Sequence, residues 1–414
     1  MRPAIILSGH TMALGVARAL GTMGVPIVVV HYDERDMAHR SRHVTVALRA
    51  PHPEKHTEEF IGLLLGSAAR FAGGVIFPTS DESLTVASQY KAVLEEHFIV
   101  ACPDWAVTRR CIDKKLTYAL AESSGVAAPR TLVPNSWDEI ESYAGTGEFP
   151  CLVKPCQSHL FYERFQRKMF RVDTPAQLLD VCERAAEAGL EIMLQELIPG
   201  DDSQVVNYNA YAWNGVAVAE FTAAHVRNAP PWFGSPRVVL SREIPEVLEP
   251  GRAILHAIGF SGYACTEFKK DARSGVYKLM EVNARHNLST LLAVRCGTNF
   301  PWLHYRHLVA GELPVASDYR KGVYWIDLSR DLGYSAIYLT RERYTVGAYL
   351  RPYLHPHVFA ILDWHDLRPF LRRIAHLLRQ GFASACGSLL ARWRQPWQRR
   401  SANLNYKSAK GATS

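Results

Sequence analysis

Short apolar runs open the chain, and residues with helical spacing follow them. "AIILSG" (4–9) reads as a strand. "TMALGVARALGTMG" (11–24) has helical apolar spacing and closes on Gly24, a residue suited to ending a helix. "VPIVVVHYD" (25–33) and "GGVIFPTSDES" (73–83) read as further strands, the second ending in a polar turn. This β-α-β alternation predicts a small open parallel sheet with ligand-facing loops at the carboxyl ends of its strands. Asp81 and Glu82 stand at such an end, either to touch a substrate or to cap the following helix.

A helix is expected from near Cys111 or Asp113, ended by Gly125 and Pro129. "FPCLVKP" (149–155) reads as a strand carrying Lys154 just before Pro155. "TPAQLLDVCERAAEAG" (174–189) has the spacing of an amphipathic helix closed by Gly189. "EIMLQELIPGDD" (191–202) reads as a strand running into a Pro-Gly turn. Strands around 205–222, a loop at 225–237 and a helix around 246–259 follow. Residues 262–287 then read as a hairpin with its turn at Asp271–Gly275.

The second arm of that hairpin, "YKLMEVNARHNLST" (277–290), puts Glu281, Asn283 and Arg285 at every second position. In a strand these side chains share one face. A solvent-facing strand would account for that alternation alone. Glu267 in the first arm changes the picture, because either register near the turn makes it a direct or diagonal neighbour of Glu281, at a Cα separation of about 4.5–8 Å. Two like charges so close are costly without a cation between them. Two carboxylates and an amide oxygen form a hard, all-oxygen set suited to Mg²⁺. Arg285 could hold a phosphate or carboxylate in bidentate fashion.

Composition narrows the classes. The 414 residues allow two to four folding units, with 48% hydrophobic and 21% charged residues, ordinary for a globular protein. No apolar run is long enough to span a bilayer, and the start is too briefly apolar for a signal peptide, which points to the cytosol. The eight cysteines show no paired CxxC units, so no zinc site or disulfide framework is expected. The net charge of +7 is confined to the end, where Arg368–Ser414 holds ten Lys/Arg and no Asp or Glu. The slightly negative main body is no nucleic-acid binder by charge. "SGHTMALG" lacks the G-x-G-x-x-G spacing of a dinucleotide site, which argues against an NAD enzyme.

Lys114 in "DK", Lys154 in "VKP", the "QELIPGDD" strand-to-turn and the "E-x-N-x-R" terminus follow a Rossmann-like start in one order. In this the sequence resembles the ATP-grasp superfamily, and within it the carboxylate–amine ligases related to carbamoyl-phosphate synthetase and D-alanine ligase. The resemblance covers roughly residues 1–312. It implies an α/β fold with α+β lobes: a Rossmann-like pre-ATP-grasp domain (1–105), the ATP-grasp small lobe with a linker helix (106–190), the large lobe with the metal site (191–312), and a C-terminal extension (313–414). By the same resemblance Lys114 and Lys154 contact ATP phosphates, with Lys154 near the α-phosphate and adenine N7. Gln195 and the backbone at Glu196 and Ile198 meet the adenine edge, and Asp202 holds the ribose. Glu267, Glu281 and Asn283 bind Mg²⁺, two ions in all, with Mn²⁺ as a substitute. Arg285 steadies the transferred phosphate, and Arg227 fits a basic position beside it.

Two departures from the family pattern stand out. The loop "KPCQSHLFYERFQRKMFRV" (154–172) has no glycine, so Lys168 and its neighbouring arginines are left to cover the phosphates as side chains, or form a basic surface loop. His225 stands where relatives carry a basic residue. The implied activity is an ADP-forming ligase: ATP activates a carboxylate as an acyl-phosphate, and an amine attacks it to give an amide or peptide bond. Other acceptors, bicarbonate activation and a non-catalytic nucleotide-binding module are the alternatives. The expected partners are a small carboxylate and an amine, with His286 and Asn287 near the acceptor and a homodimer compatible with the pattern. The helix-like "LRPFLRRIAHLLRQGF" (367–382) and its basic, Trp-containing continuation would either pack on the protein or rest on the inner membrane face.

Overall fold

Ala4–Leu7 (β1) is buried along its whole length. Ile5 and Leu7 pack in one core while Ala4 and Ile6 pack in another, so both faces are covered and the run shows no polar alternation. The computed structural model describes residues 1–156, 161, 164–167, 169–230, 234–338 and 344–379. With β2 (Ile27–His31), β3 (Val44–Arg49), β4 (Val75–Pro78) and β5 (Ile99–Val100), β1 forms a five-stranded parallel sheet in the order β3-β2-β1-β4-β5. The order reverses between β1 and β4, the place where open α/β sheets bind ligands at their strand ends.

A four-stranded sheet follows, β6 (Thr131–Leu132), β7 (Cys151–Pro155), β8 (Phe170–Val172) and β9 (Ile192–Glu196), in the order β6-β9-β7-β8. The helices Trp137–Thr146 and Pro175–Glu187 cover it, and together they bury a separate core around Val153, Leu178 and Leu194. The amphipathic 174–189 pattern is this second helix, capped by Thr174.

The third sheet has seven strands, β10 (Val205–Trp213), β11 (Val216–Ala229), β12 (Ser235–Ser241), β13 (Gly262–Lys270), β14 (Tyr277–Asn283), β15 (Tyr324–Ile326) and β16 (His357–Phe359). Their order is β14-β13-β10-β11-β12-β15-β16, so residues beyond 312 complete this sheet. Two cores join its residues to those of the first sheet, whereas the four-stranded lobe keeps its own.

Two buried carboxylates fasten the last segments. Asp331 accepts from Arg227 and pairs with Arg237, while Asp366 accepts from Arg18, from the Ser41 hydroxyl and from the Arg42 backbone N–H. Burial alone would raise the Asp366 pKa, but these hydrogen bonds and the Arg18 charge outweigh it and hold the carboxyl below its ordinary value. A depressed pKa contributes stability above the unfolded value and loses it as pH falls through the folded one. Asp366→Ala should therefore lower unfolding stability by about 3–5 kcal/mol at neutral pH, because Arg18 stays buried without its partner. That difference should shrink below about pH 4. Urea midpoints at two pH values measure it, and equal midpoints for both proteins at neutral pH would refute the anchor.

Candidate active site

β13 and β14 pair so that Glu267 lies directly opposite Glu281 and Cys265 opposite Asn283. The register slips by one residue beside Glu267, leaving Met280 as the bulged position. The Asn283 amide donates through Nδ2 to Glu281 Oε1 at 3.0 Å, which leaves its own Oδ1 as an acceptor. Asn207 opposes Glu267 on the other side, and Lys269 follows Glu267 by two residues on the same face. His225 Nε2 lies 3.3 Å from Asn207 Oδ1 and 4.0 Å from Glu267 Oε2. Burial pushes the His225 pKa down to about 4, so the imidazole is neutral at neutral pH and donates from Nε2 to Asn207 Oδ1 alone.

Lys154 on β7 is buried and donates from Nζ to Gln195 Oε1 at 2.6 Å. Burial first, then the nearby Lys114 charge, pushes its pKa down to about 7, with Glu281 and Glu267 opposing from the facing sheet. Thus the four-stranded lobe brings Lys154 to face the carboxylates of the seven-stranded sheet, with Lys114 close by on a helix seated against that sheet. Lys114 opens the helix Lys114–Ser123, whose cap Asp113 accepts from the Lys115 N–H. One turn later Tyr118 donates to the carbonyl of the bulged Met280 at 2.9 Å. The bulge therefore presents the acceptor that seats the Lys114 helix against the hairpin. Tyr118 and the buried Lys269, whose pKa burial lowers against the pull of Asp202, were not foreseen as site residues. The i, i+4 spacing of Lys114 and Tyr118 and the i, i+2 spacing of Glu267 and Lys269 are the signals that could have found them.

Gln195 has both ends of its amide engaged, the oxygen by Lys154 and the nitrogen by the Thr131 hydroxyl at 2.8 Å. Its side chain holds Lys154 in place through one oxygen lone pair and Thr131 through one N–H. The Glu196 carboxylate turns to Lys278 at 2.9 Å and to Arg273, and its N–H donates to the Arg130 carbonyl. Asp271 joins Lys278 and Arg273, and hydrogen bonding from Arg273 holds its carboxyl well below the usual range. This network ties β9 to the hairpin at the crossing between the lobes. Ile198 is buried just beyond, and Asp202 accepts from the Asn228 N–H at 2.8 Å and from its side-chain amide at 3.2 Å.

The fourth group lies at the strand ends where the sheet order reverses. Ser8, buried with φ +109°, places its hydroxyl 2.7 Å from Thr79 Oγ1 and 3.1 Å from His10 Nε2. Gly9 cannot carry a side chain, since a Cβ there would stand 2.6 Å from Asp36. Ser80 caps the helix Asp81–Gln89, so Asp81 sits in its first turn and also reaches a partner. Arg285 grips Asp81 with two parallel bonds of 2.6 and 2.8 Å. The Glu281–Arg285 segment thus carries the metal-type cluster at one end and the sheet's ligand mouth at the other.

Arg227 lies apart from the role the resemblance gave it. Its Nε and Nη2 donate to Asp331 and its Nη1 to the Tyr349 carbonyl, with the guanidinium 4.4 Å from the Tyr349 ring. Register irregularities on both sides of Arg227 redirect it to this buried pair. His286 is buried and stacked on Tyr263 at 4.2 Å, while Asn287 donates to Asn209 Oδ1 at 2.9 Å. In the glycine-free loop, Arg164 and Arg167 stand over Phe165 and Phe170. Lys168 and residues 380–414, including the basic tail, lie outside the described residues.

Among the described residues no three His, Cys, Asp or Glu converge as a metal site. Glu267, Glu281 and the Asn283 oxygen still fit a hard divalent ion whose other ligands are water and phosphate. Also among the described residues, no helix is long and apolar enough to cross a membrane.

Solved structures carry the same architecture. L-amino acid ligase from Bacillus licheniformis superposes with a TM-score of 0.58 at 15% identity, covering 75% of this chain and 74% of its own. The biotin carboxylase domain of Hydrogenobacter thermophilus 2-oxoglutarate carboxylase, crystallised with MgADP and bicarbonate, gives 0.60 at 17%, covering 77% and 73%. The chain has the ATP-grasp fold. In sequence it is similar to D-aspartate ligase of Enterococcus faecium (strain Aus0004), 28% identical over 236 residues, which are 54% of this chain. The match spans 56% of that relative, so the chain covers about half its length. No family model matches the chain.

A lysine with a pKa near 7 is largely neutral at about pH 8 and takes up a proton when a triphosphate arrives beside it. ATP binding should therefore absorb nearly one proton at about pH 8 and a small fraction of one at about pH 6. Calorimetry in buffers of different ionisation enthalpy measures this. Buffer-independent heats at about pH 8 would remove Lys154 from the nucleotide site.

Proposed function

We propose that the protein is an ATP- and Mg²⁺-dependent carboxylate–amine ligase that activates the carboxyl group of an amino acid. The carrying observation is the Glu281–Arg285 segment, which joins a carboxylate pair facing Lys154 to an arginine at the sheet's ligand mouth. The names of the similar proteins, D-aspartate ligase and L-amino acid ligase, favour an amino-acid substrate.

Lys114, Lys154 and Lys269 bind the triphosphate, Ile198 packs at the base and Asp202 lies at the ribose end. Gln195 and Glu196 act on this site by positioning, Gln195 through Lys154 and Glu196 through the clamp between the lobes. Glu267, Glu281 and Asn283 hold the Mg²⁺, two ions, which when bound neutralise the transferring phosphate; Mn²⁺ suits the same oxygen set. Arg285 orients the substrate carboxylate for in-line attack on the γ-phosphorus. The bond from that phosphorus to the ADP oxygen breaks, and the acyl-phosphate forms. A neutral amine attacks the acyl carbon, phosphate leaves, and the amine proton passes to solvent. Burial and the Arg285 charge push the His10 pKa down to about 4, so His10 donates or accepts a hydrogen bond without becoming charged. Arg227 acts through structure, holding β11 to the final helices. The product is an amide or peptide bond.

ADP release that requires both an amino acid and an amine, with the joined product seen by mass spectrometry, tests the reading. ADP release indifferent to every carboxylate and amine pair would sink it.

Glu281→Gln separates a metal ligand from a structural carboxylate. It removes one of two facing charges, so the unliganded protein should be no less stable. Turnover should fall by about two orders of magnitude or more, because the phosphate loses its counter-charge. A variant that melts early and turns over normally would reverse the assignment.

A further inference from the structure

A second basic site lies at the carboxyl ends of β2 and β3, on the outer half of the parallel sheet. His31 and Arg49 end these strands as register partners, and the helix through 368–379 crosses in front of them. Between them is a cavity of about 490 Å³. Arg40, Arg49, Arg372 and Arg379 line it against only Asp33 and Glu34. Asp33 is already held by Arg35 through both oxygens, at 2.9 and 2.6 Å.

The cavity also has hydrogen-bond donors without acceptors. His39 stacks on His31 at 4.1 Å, and its Nε2 accepts from Arg40 Nε at 3.1 Å, so its proton sits on Nδ1. That Nδ1 is buried and makes no hydrogen bond among the described residues, and the same holds for Arg372 Nε. The second Arg372 donor is fixed by the Glu34 carbonyl at 3.0 Å, which sets the guanidinium in place. Burial and the flanking arginines keep His31 and His39 uncharged in the free protein. A buried donor without an acceptor costs about 1–3 kcal/mol, and two on a cavity lined by four arginines call for an anion. Residues 380–414 hold no Asp or Glu side chain to supply it.

We infer that this cavity binds a phosphate or diphosphate group, brought either by a soluble small molecule or by a lipid headgroup. Guanidiniums match phosphate oxygens bidentately, and the volume exceeds a lone phosphate, leaving room for what the group is attached to. The site is separate from the triphosphate cleft, since none of its lining side chains belongs to the Lys154–Glu281 group.

Calorimetric titration of the full chain with inorganic pyrophosphate at low salt tests it. Saturable binding should weaken about 10–150-fold in Arg49→Gln, the loss of one charge-assisted bond. It should weaken in the same direction in Arg379→Gln, an exposed position whose change leaves the fold alone. Lys154→Ala should leave it intact, separating it from phosphate binding in the cleft. Phosphatidylglycerol vesicles, with phosphatidylcholine as control, distinguish the sources. Arg49-dependent vesicle binding assigns a headgroup, and pyrophosphate binding without it assigns a soluble ligand. No saturable pyrophosphate binding, or binding indifferent to both arginine changes, overturns the site.

Discussion

Glu267 and Glu281 face each other across one pair of strands, at about the 4.5–5.5 Å spacing of direct neighbours. The opposing lobe has the converse problem, with Lys154 buried near Lys114 and its ammonium pushed toward neutrality. Lys154 thus faces the carboxylate pair across the cleft, and Lys269 on β13 adds a second cation beside Glu267. A metal–triphosphate complex is complementary to both at once, cation toward the carboxylates and phosphate oxygens toward the lysines. The cores agree with this division, since the lysine-bearing lobe buries its own apolar cluster while the carboxylate-bearing sheet shares its cores with the first sheet.

The contacts between the lobes are correspondingly polar. Glu196 on β9 meets Lys278 and Arg273 of the hairpin, with Asp271 beside them, and closes the hinge side. Charge networks of this kind fix direction and register more than they add stability. They hold Lys154 opposite the carboxylates while leaving the apolar bulk of each lobe undisturbed.

Legibility in the sequence followed the strength of the local pattern. β1, β2, β4 and the β13–β14 hairpin announced themselves because continuous apolar runs and a Gly-containing turn leave few alternatives. β3 did not, since Val44–Arg49 lies at a sheet edge, half exposed along its length, and lacks the apolar signal of its neighbours. β15 and β16 have three residues each, too few for any period to show. Glu267, Glu281 and Asn283 could be grouped because strand alternation places side chains on faces without tertiary knowledge, whereas Arg285 lies beyond the end of β14 and turns to Asp81. Arg227 could not be placed that way, because irregular pairing on both sides of it redirects the chain. Nor could Gln195, whose bond to Lys154 depends on the pairing of β7 with β9.

The geometry between activation and substrate is set by covalent distance. Glu281 and Arg285 are four residues apart, and Val282 and Ala284 between them are buried. Glu281 and Arg285 therefore move as one body, built on the sheets with shared cores. Arg285 is kept extended toward that mouth by Asp81, whose carboxyl burial would raise but the arginine lowers. Under the proposed function a substrate carboxylate would compete with Asp81 for the same guanidinium fork, exchanging one ion pair for another at small net electrostatic cost. The lobe that carries Lys154 keeps its own core and meets the rest through polar contacts, so under the proposed function it is the part that would bring the nucleotide to a substrate already positioned.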